Sequence, residues 1–170
     1  MKNSVKLNGI VLFIALITTI LIYNCGSDTV TNTPNTPAAG TMSGTITFVD
    51  TNKVDTNGYY DVSVYTSWPP TAQPPGSDTI KFTRTNGVYT GTYSIKGLTS
   101  GGIYYTVASY IHLPYGTGSV YVLGLRGCDN NEACYMTAGV KSDTLPSNQG
   151  LAGIDFKAFL NPNSSHVRFP

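Results

Sequence analysis

Thr79-Ile80-Lys81-Phe82-Thr83-Arg84-Thr85-Asn86-Gly87-Val88-Tyr89-Thr90-Gly91-Thr92-Tyr93-Ser94-Ile95 is the stretch that decides the fold. On both sides of Asn86-Gly87 apolar and polar residues alternate, as in strands with one face buried and one wet. Asn-Gly supplies two residues that tolerate positive φ, which the tight turn of a right-twisted hairpin requires. The two halves are therefore expected to pair as an antiparallel hairpin.

The same alternation extends in both directions. Upstream lie Thr45-Ile46-Thr47-Phe48-Val49 and Tyr60-Asp61-Val62-Ser63-Val64-Tyr65; downstream lie Ile103 to Ile111, Ser119 to Leu125 and Ile154 to Leu160. Clusters of Gly, Pro, Asn and Asp separate them. No soluble window shows apolar residues spaced by three and four, and Gly or β-branched residues interrupt every helical candidate. Seven short strands in about 125 residues predict an all-β fold, a seven-stranded antiparallel β-sandwich of transthyretin-like or Ig-like type. The domain is expected over residues 43–162, with a C-terminal tail at 163–170.

The chain has 170 residues, of which 41% are hydrophobic and only 11% charged. Ordinary soluble proteins carry about 25% charged residues, so the balance suits a secreted β-protein. Lys2 and Lys6 open the chain, and Ile10 to Tyr23 follows as an uncharged apolar run of fourteen residues. That is a signal-peptide core, short of the roughly 20 residues a spanning helix needs. Without those two lysines the ten basic residues fall to eight against nine acidic ones, a formal charge of −1. No basic field exists to recruit nucleic acid.

The leader resembles a bacterial lipoprotein signal. Ile22 and Cys25 carry the match, while Tyr23 and Asn24 depart from the usual small residues of that motif. The resemblance implies a signal peptide over 1–24, a lipid on Cys25, and a membrane-anchored protein outside the cytoplasm, in the periplasm or at the cell surface. Residues 25–42, rich in Thr, Asn and Pro, have almost nothing to bury and read as a flexible tether.

Within the domain, Ser43-Gly44-Thr45-Ile46-Thr47-Phe48, then Tyr60 to Tyr65, then Gly97-Leu98-Thr99-Ser100-Gly101-Gly102-Ile103-Tyr104-Tyr105-Thr106-Val107 resemble carboxypeptidase regulatory-like, transthyretin-like sandwich domains. The resemblance covers most of Ser43 to Leu160, although residues 127–150 form an insertion with no counterpart. Domains of that family are accessory, scaffold or binding modules, and the resemblance implies no catalytic residues.

Groups that could work near neutral pH are few: His112, His166 and the one glutamate, Glu132. Nothing in the sequence brings them together, so no catalytic residues, metal or cofactor are expected. Cys128 and Cys134 bracket five residues, a spacing that closes readily into a disulfide in an exported domain. The Asp/Asn clusters at Asp50, Asp55 and Asp129 offer hard oxygen ligands for calcium, but Asp and Asn in such clusters more often tie turns to their own backbone.

Trp68, the only tryptophan, stands beside Pro69-Pro70 and close to Pro74-Pro75. It either caps the open end of the sandwich core or offers an aromatic anchor to a sugar or protein partner, with Tyr65 beside it. In Ile103 to Ile111, alternation divides Ile103, Tyr105, Val107, Ser109 and Ile111 from Tyr104, Thr106, Ala108 and Tyr110. The first set is expected in the core, leaving Tyr104 and Tyr110 on the outer face as further ligand-binding candidates. The functional expectation is a non-enzymatic, lipid-anchored module with a structural or binding role in the cell envelope and a protein or glycan partner. A carbohydrate-binding module using Trp68 and an enzyme accessory domain are the alternatives.

Overall fold

The computed structural model describes residues 36–116 and 118–169; the leader, Cys25 and most of the expected tether lie outside the described residues. Ten strands are present among them: β1 (Met42–Val49), β2 (Gly58–Tyr65), β3 (Gly76–Thr79), β4 (Lys81–Thr85), β5 (Val88–Ile95), β6 (Ile103–His112), β7 (Val120–Leu125), β8 (Ser142–Thr144), β9 (Phe156–Phe159) and β10 (Arg168–Phe169). They form two sheets, ordered β4-β5-β1-β9 and β10-β7-β6-β2-β3, with β8 pairing the start of β6. The fold is an all-β, two-sheet sandwich.

The hairpin forms as expected. Thr85 and Val88 are paired across the turn, and Asn86 and Gly87 both have positive φ, at 51° and 83°. The preceding alternation is divided between sheets, however: β3 pairs β2, whereas β4 pairs β5. Ile80, 5% exposed, stays in the core while the chain crosses from one sheet to the other beside it. Where β4 begins, β5 runs on past it, and the Ser94 amide donates instead to the Asp78 carboxylate at 2.7 Å.

Three differences in all correct the seven-stranded antiparallel expectation. The single expected strand 79–83 belongs to two; β8 and β10 are too short to carry a readable period; and β1 pairs β9 in parallel. The expected tail contains a 3₁₀ turn and β10, which pairs Arg168 with Tyr121 and Phe169 with Val120.

The inner faces enclose Met42, Ile46, Phe48, Tyr60, Val62, Val64, Tyr93, Ile95, Leu123, Phe156 and Ala158, among others. Burial of this set dominates the stabilisation, at about 25 cal/mol per Å² of apolar surface. Tyr104 and Tyr110 belong to this core, at 2% and 1% exposed, so the two faces of β6 are the reverse of the expected ones. Their hydroxyls reach the edge of the core and are satisfied there. Tyr110 donates to Asp55 Oδ1 at 2.8 Å, and Tyr104 bonds the Thr99 backbone. Tyr60 and Tyr93 do the same with the Leu160 and Ile154 carbonyls. These tyrosines are rigid struts whose tips fasten loops to the core.

The second face of β6 is covered as well. Val107 packs with Tyr65, Val122, Leu125, Cys128 and Tyr135, closed over by Trp68, Val140, Val167 and Phe169. Residues 127–150 and the C-terminal strand thus supply the lid over part of the outer face of the six-stranded sheet. Cys128 and Cys134 are disulfide-bonded with Cα atoms 5.5 Å apart. The lid is also pinned from the C-terminus: the His166 amide donates to Glu132 Oε1 at 2.6 Å, and its ring nitrogen Nδ1 lies 3.1 Å from Oε2.

Candidate functional site

The lid covers only part of that outer face. The rest is an open cleft of about 590 Å³. Strand β2 runs along it, and period 2 places Tyr59, Asp61, Ser63 and Tyr65 in a row on the cleft side. At about 3.3 Å per residue the row spans about 20 Å. Cross-strand pairing sets Ser109 of β6 opposite Asp61 and Ser77 of β3 opposite Ser63, so a polar patch crosses three strands in the floor. Phe169 and Val120 close one side, Tyr115 rises from the loop after β6, and Pro70 to Pro74 forms a rim.

Each element has a local reason. Val62 and Val64 fix the register of β2 by entering the inter-sheet core, both at 0% exposed, which turns Asp61 and Ser63 outward. The prolines of the rim remove backbone donors from the segment between β2 and β3 and hold it as a loop rather than a strand. Tyr115, 66% exposed, is free at the mouth, as is Tyr59 at 42%.

The floor is electrostatically uneven. Asp61 is 7% exposed, and the Ser63 hydroxyl donating at 2.6 Å is its one hydrogen bond among the described residues. Burial pushes its carboxyl above the usual range; the bond from Ser63 opposes this, and the negative charge of Asp78 adds to it. Burial likewise raises the Tyr65 phenol. Ser109, 2% exposed, has a hydroxyl without a hydrogen-bond partner among the described residues. Among the described residues no lysine, arginine or histidine lines the cleft.

The residues singled out from the sequence fall in different places. Tyr65 lies in the cleft but is packed edge-on against Phe169. Trp68 is part-buried in the lid: its Nε1 donates to the Tyr135 carbonyl and its ring meets Phe169 edge-on at 5.8 Å. It does not line the cleft. Tyr104 and Tyr110, enclosed between the sheets, present no ring to a ligand. The structure brings Trp68 and Tyr65 together around Phe169, and leaves Tyr104 and Tyr110 on the opposite side of the sheet.

The acidic candidates are spent on backbone amides and, for Asp55, also a tyrosine hydroxyl. Asp50 accepts from the Leu160 and Asn161 amides, Asp129 from that of Lys157. Asp55 accepts from the Asn57 amide and the Tyr110 hydroxyl, which hold its carboxyl below the usual range. Among the described residues no three His, Cys, Asp or Glu side chains are grouped to hold a metal ion. Cys25 lies outside the described residues. Asp61, Ser63 and Ser109 were missed as site residues; the available signal was a carboxylate in mid-strand on the face opposite two valines.

No family model, curated protein or solved structure matches the chain.

Proposed function

We propose that this chain is an exported, lipid-anchored binding module of the cell envelope, without catalytic activity of its own, and that the cleft over β2 holds its partner. The observation that carries the reading is a polar, under-satisfied floor at Asp61, Ser63 and Ser109 beneath the exposed rings of Tyr59 and Tyr115. Aromatic walls with a few convergent polar groups are the usual make-up of a small-ligand site. Export and the anchor are supported by Lys2, Lys6, the apolar run to Tyr23 and Cys25, and the disulfide is consistent with an oxidising compartment. A transthyretin-like sandwich, as in carboxypeptidase regulatory-like domains, is the finer form of the fold in this reading.

Two experiments test it. Mass spectrometry of the mature protein is expected to find diacylglycerol on Cys25, and Cys25→Ser is expected to release the protein from membranes; a membrane-bound serine variant refutes the anchor. Tyr59→Ala and Tyr115→Ala change exposed rings only, so they are expected to abolish ligand binding with an unchanged melting temperature.

A second reading, carbohydrate recognition, is favoured by those same two rings beside hydroxyl and carboxylate acceptors. The cleft tyrosines replace Trp68 as its stacking surface. Retention on a glycan array that disappears in Tyr115→Ala supports it, and retention that disappears only in Trp68→Ala returns the site to the lid.

A further inference from the structure

We propose that the cleft is a receptor for a small organic cation, a primary ammonium carried on an apolar stem, with Asp61 as its counter-charge. The inference rests on the cleft being the binding surface and names what it takes.

Every electrostatic feature of the cleft has the same sign. Among the described residues Asp61 is its one acidic side chain, and no cationic side chain lines it. A carboxylate that is 7% exposed and has a single hydroxyl donor is poorly compensated. Asp78, on the neighbouring strand, adds negative potential. The rings of Tyr59, Tyr65, Tyr115 and Phe169 line the same space, and aromatic faces attract cations through their quadrupole. Anionic ligands meet all of these terms with the wrong sign.

The hydrogen-bonding pattern agrees. An ammonium brings three N–H donors and no acceptor. The Asp61 carboxylate has an acceptor site left over after Ser63, and the Ser63 oxygen, having donated its proton, keeps lone pairs to accept with. Ser109, directly opposite Asp61 in the β2–β6 ladder, adds a hydroxyl with no partner of its own among the described residues. A neutral polyol satisfies some of these acceptors but leaves the carboxylate without a counter-charge. The floor is a set of acceptors in want of donors, and the walls suit a methylene stem.

The test is ligand-observed saturation-transfer NMR on the full-length chain with n-butylammonium, its neutral isostere n-butanol, butyrate and a neutral disaccharide. The expected result is transfer to butylammonium, at least tenfold weaker binding of butanol, and none for butyrate. Asp61→Asn is expected to remove the preference for butylammonium over butanol. If butanol or the disaccharide binds as well as butylammonium, and Tyr115→Ala abolishes that binding, the cation inference is overturned while the cleft remains the binding surface. If no probe receives saturation, the cation inference and the cleft reading fall together. The comparison of probes is made on the parent protein, so the inference stays falsifiable even where Asp61→Asn is poorly folded.

Discussion

Tyr60→Phe removes one oxygen atom from the core and tests whether the buried tyrosines act as struts. Tyr60 is 3% exposed; its hydroxyl donates to the Leu160 carbonyl at 2.6 Å and accepts from the Asp55 amide at 3.1 Å. Removing it strands the carbonyl of a fully buried residue, at about 1–3 kcal/mol, whereas the part-buried Asp55 amide can turn to water. The expected loss is about 2 kcal/mol, or about 8 °C in Tm for a domain of this size. The assay is urea and thermal unfolding alongside Tyr89→Phe, whose hydroxyl makes no hydrogen bond among the described residues and whose loss is expected to stay within about 0.5 kcal/mol. An independent readout is alkaline titration of tyrosinate absorbance. Burial, with Asp55 and Asp50 adding to it against the Asp55 amide bond, pushes the Tyr60 phenol up to about 12; that component is expected to drop out in Tyr60→Phe, while the Tyr93, Tyr110 and Tyr135 phenols, raised further by burial, still titrate after it. Equal stability of the two variants refutes the strut argument.

Other outcomes follow from the same geometry. Opening the Cys128–Cys134 bridge by paired serine substitution is expected to cost about 2 kcal/mol from loop entropy, and to expose Trp68, read as a red shift of its fluorescence. Burial raises the Glu132 carboxyl, but bonds from the His166 amide, Ser165 and the His166 ring outweigh it and hold the carboxyl below its ordinary value. Its stabilisation is therefore complete above that ordinary value and lost as pH falls through the depressed one. Glu132→Gln is expected to remove under about 1 kcal/mol at pH 7 and to flatten the acid limb of a stability profile. Asp61 has the opposite sign. With its carboxyl raised by burial and by Asp78 against the bond from Ser63, and Tyr65 and Tyr115 beside it in the cleft, the free protein loses stability as pH rises and this acid ionises. Asp61→Asn is expected to melt above the parent at pH 7, with the gap closing in acid.

How much of this was legible depended on what alternation reports. Period 2 identifies the buried face of a strand, and for Ile80, Phe82, Ile46 and Phe48 it did so correctly. It does not report which neighbour supplies the hydrogen bonds, so the change of sheet at Ile80 left no trace in the pattern. In β6 the signal failed for a different reason. Residues Thr106 to Ile111 all have little exposure: one face meets the opposite sheet, while on the other Val107 lies under the lid and Ser109 and Ile111 lie in the floor of the cleft. With no wet face to contrast, tyrosine looked like the surface residue and valine like the core residue. The lid itself came from residues 127–150, whose role depended on contacts far apart in the chain, Trp68 with Tyr135 and Phe169 with Tyr65. The cleft was half legible: its row of Tyr59, Asp61, Ser63 and Tyr65 follows from the valines between them, but its depth comes from the proline rim and from Phe169, more than a hundred residues away.

The crossing at Ile80 has a consequence for copies of the protein that meet edge to edge. Had residues Gly76 to Thr85 formed one continuous edge strand, its unpaired amides and carbonyls would template pairing with the next copy, as unprotected edges do. Division into four residues in one sheet and five in the other, the shorter with Asp78 turned onto Ser94 and the longer carrying Lys81 and Arg84, leaves neither piece long or neutral enough to polymerise. The bend that escaped the sequence pattern thereby removes one long flat edge on which copies could pair.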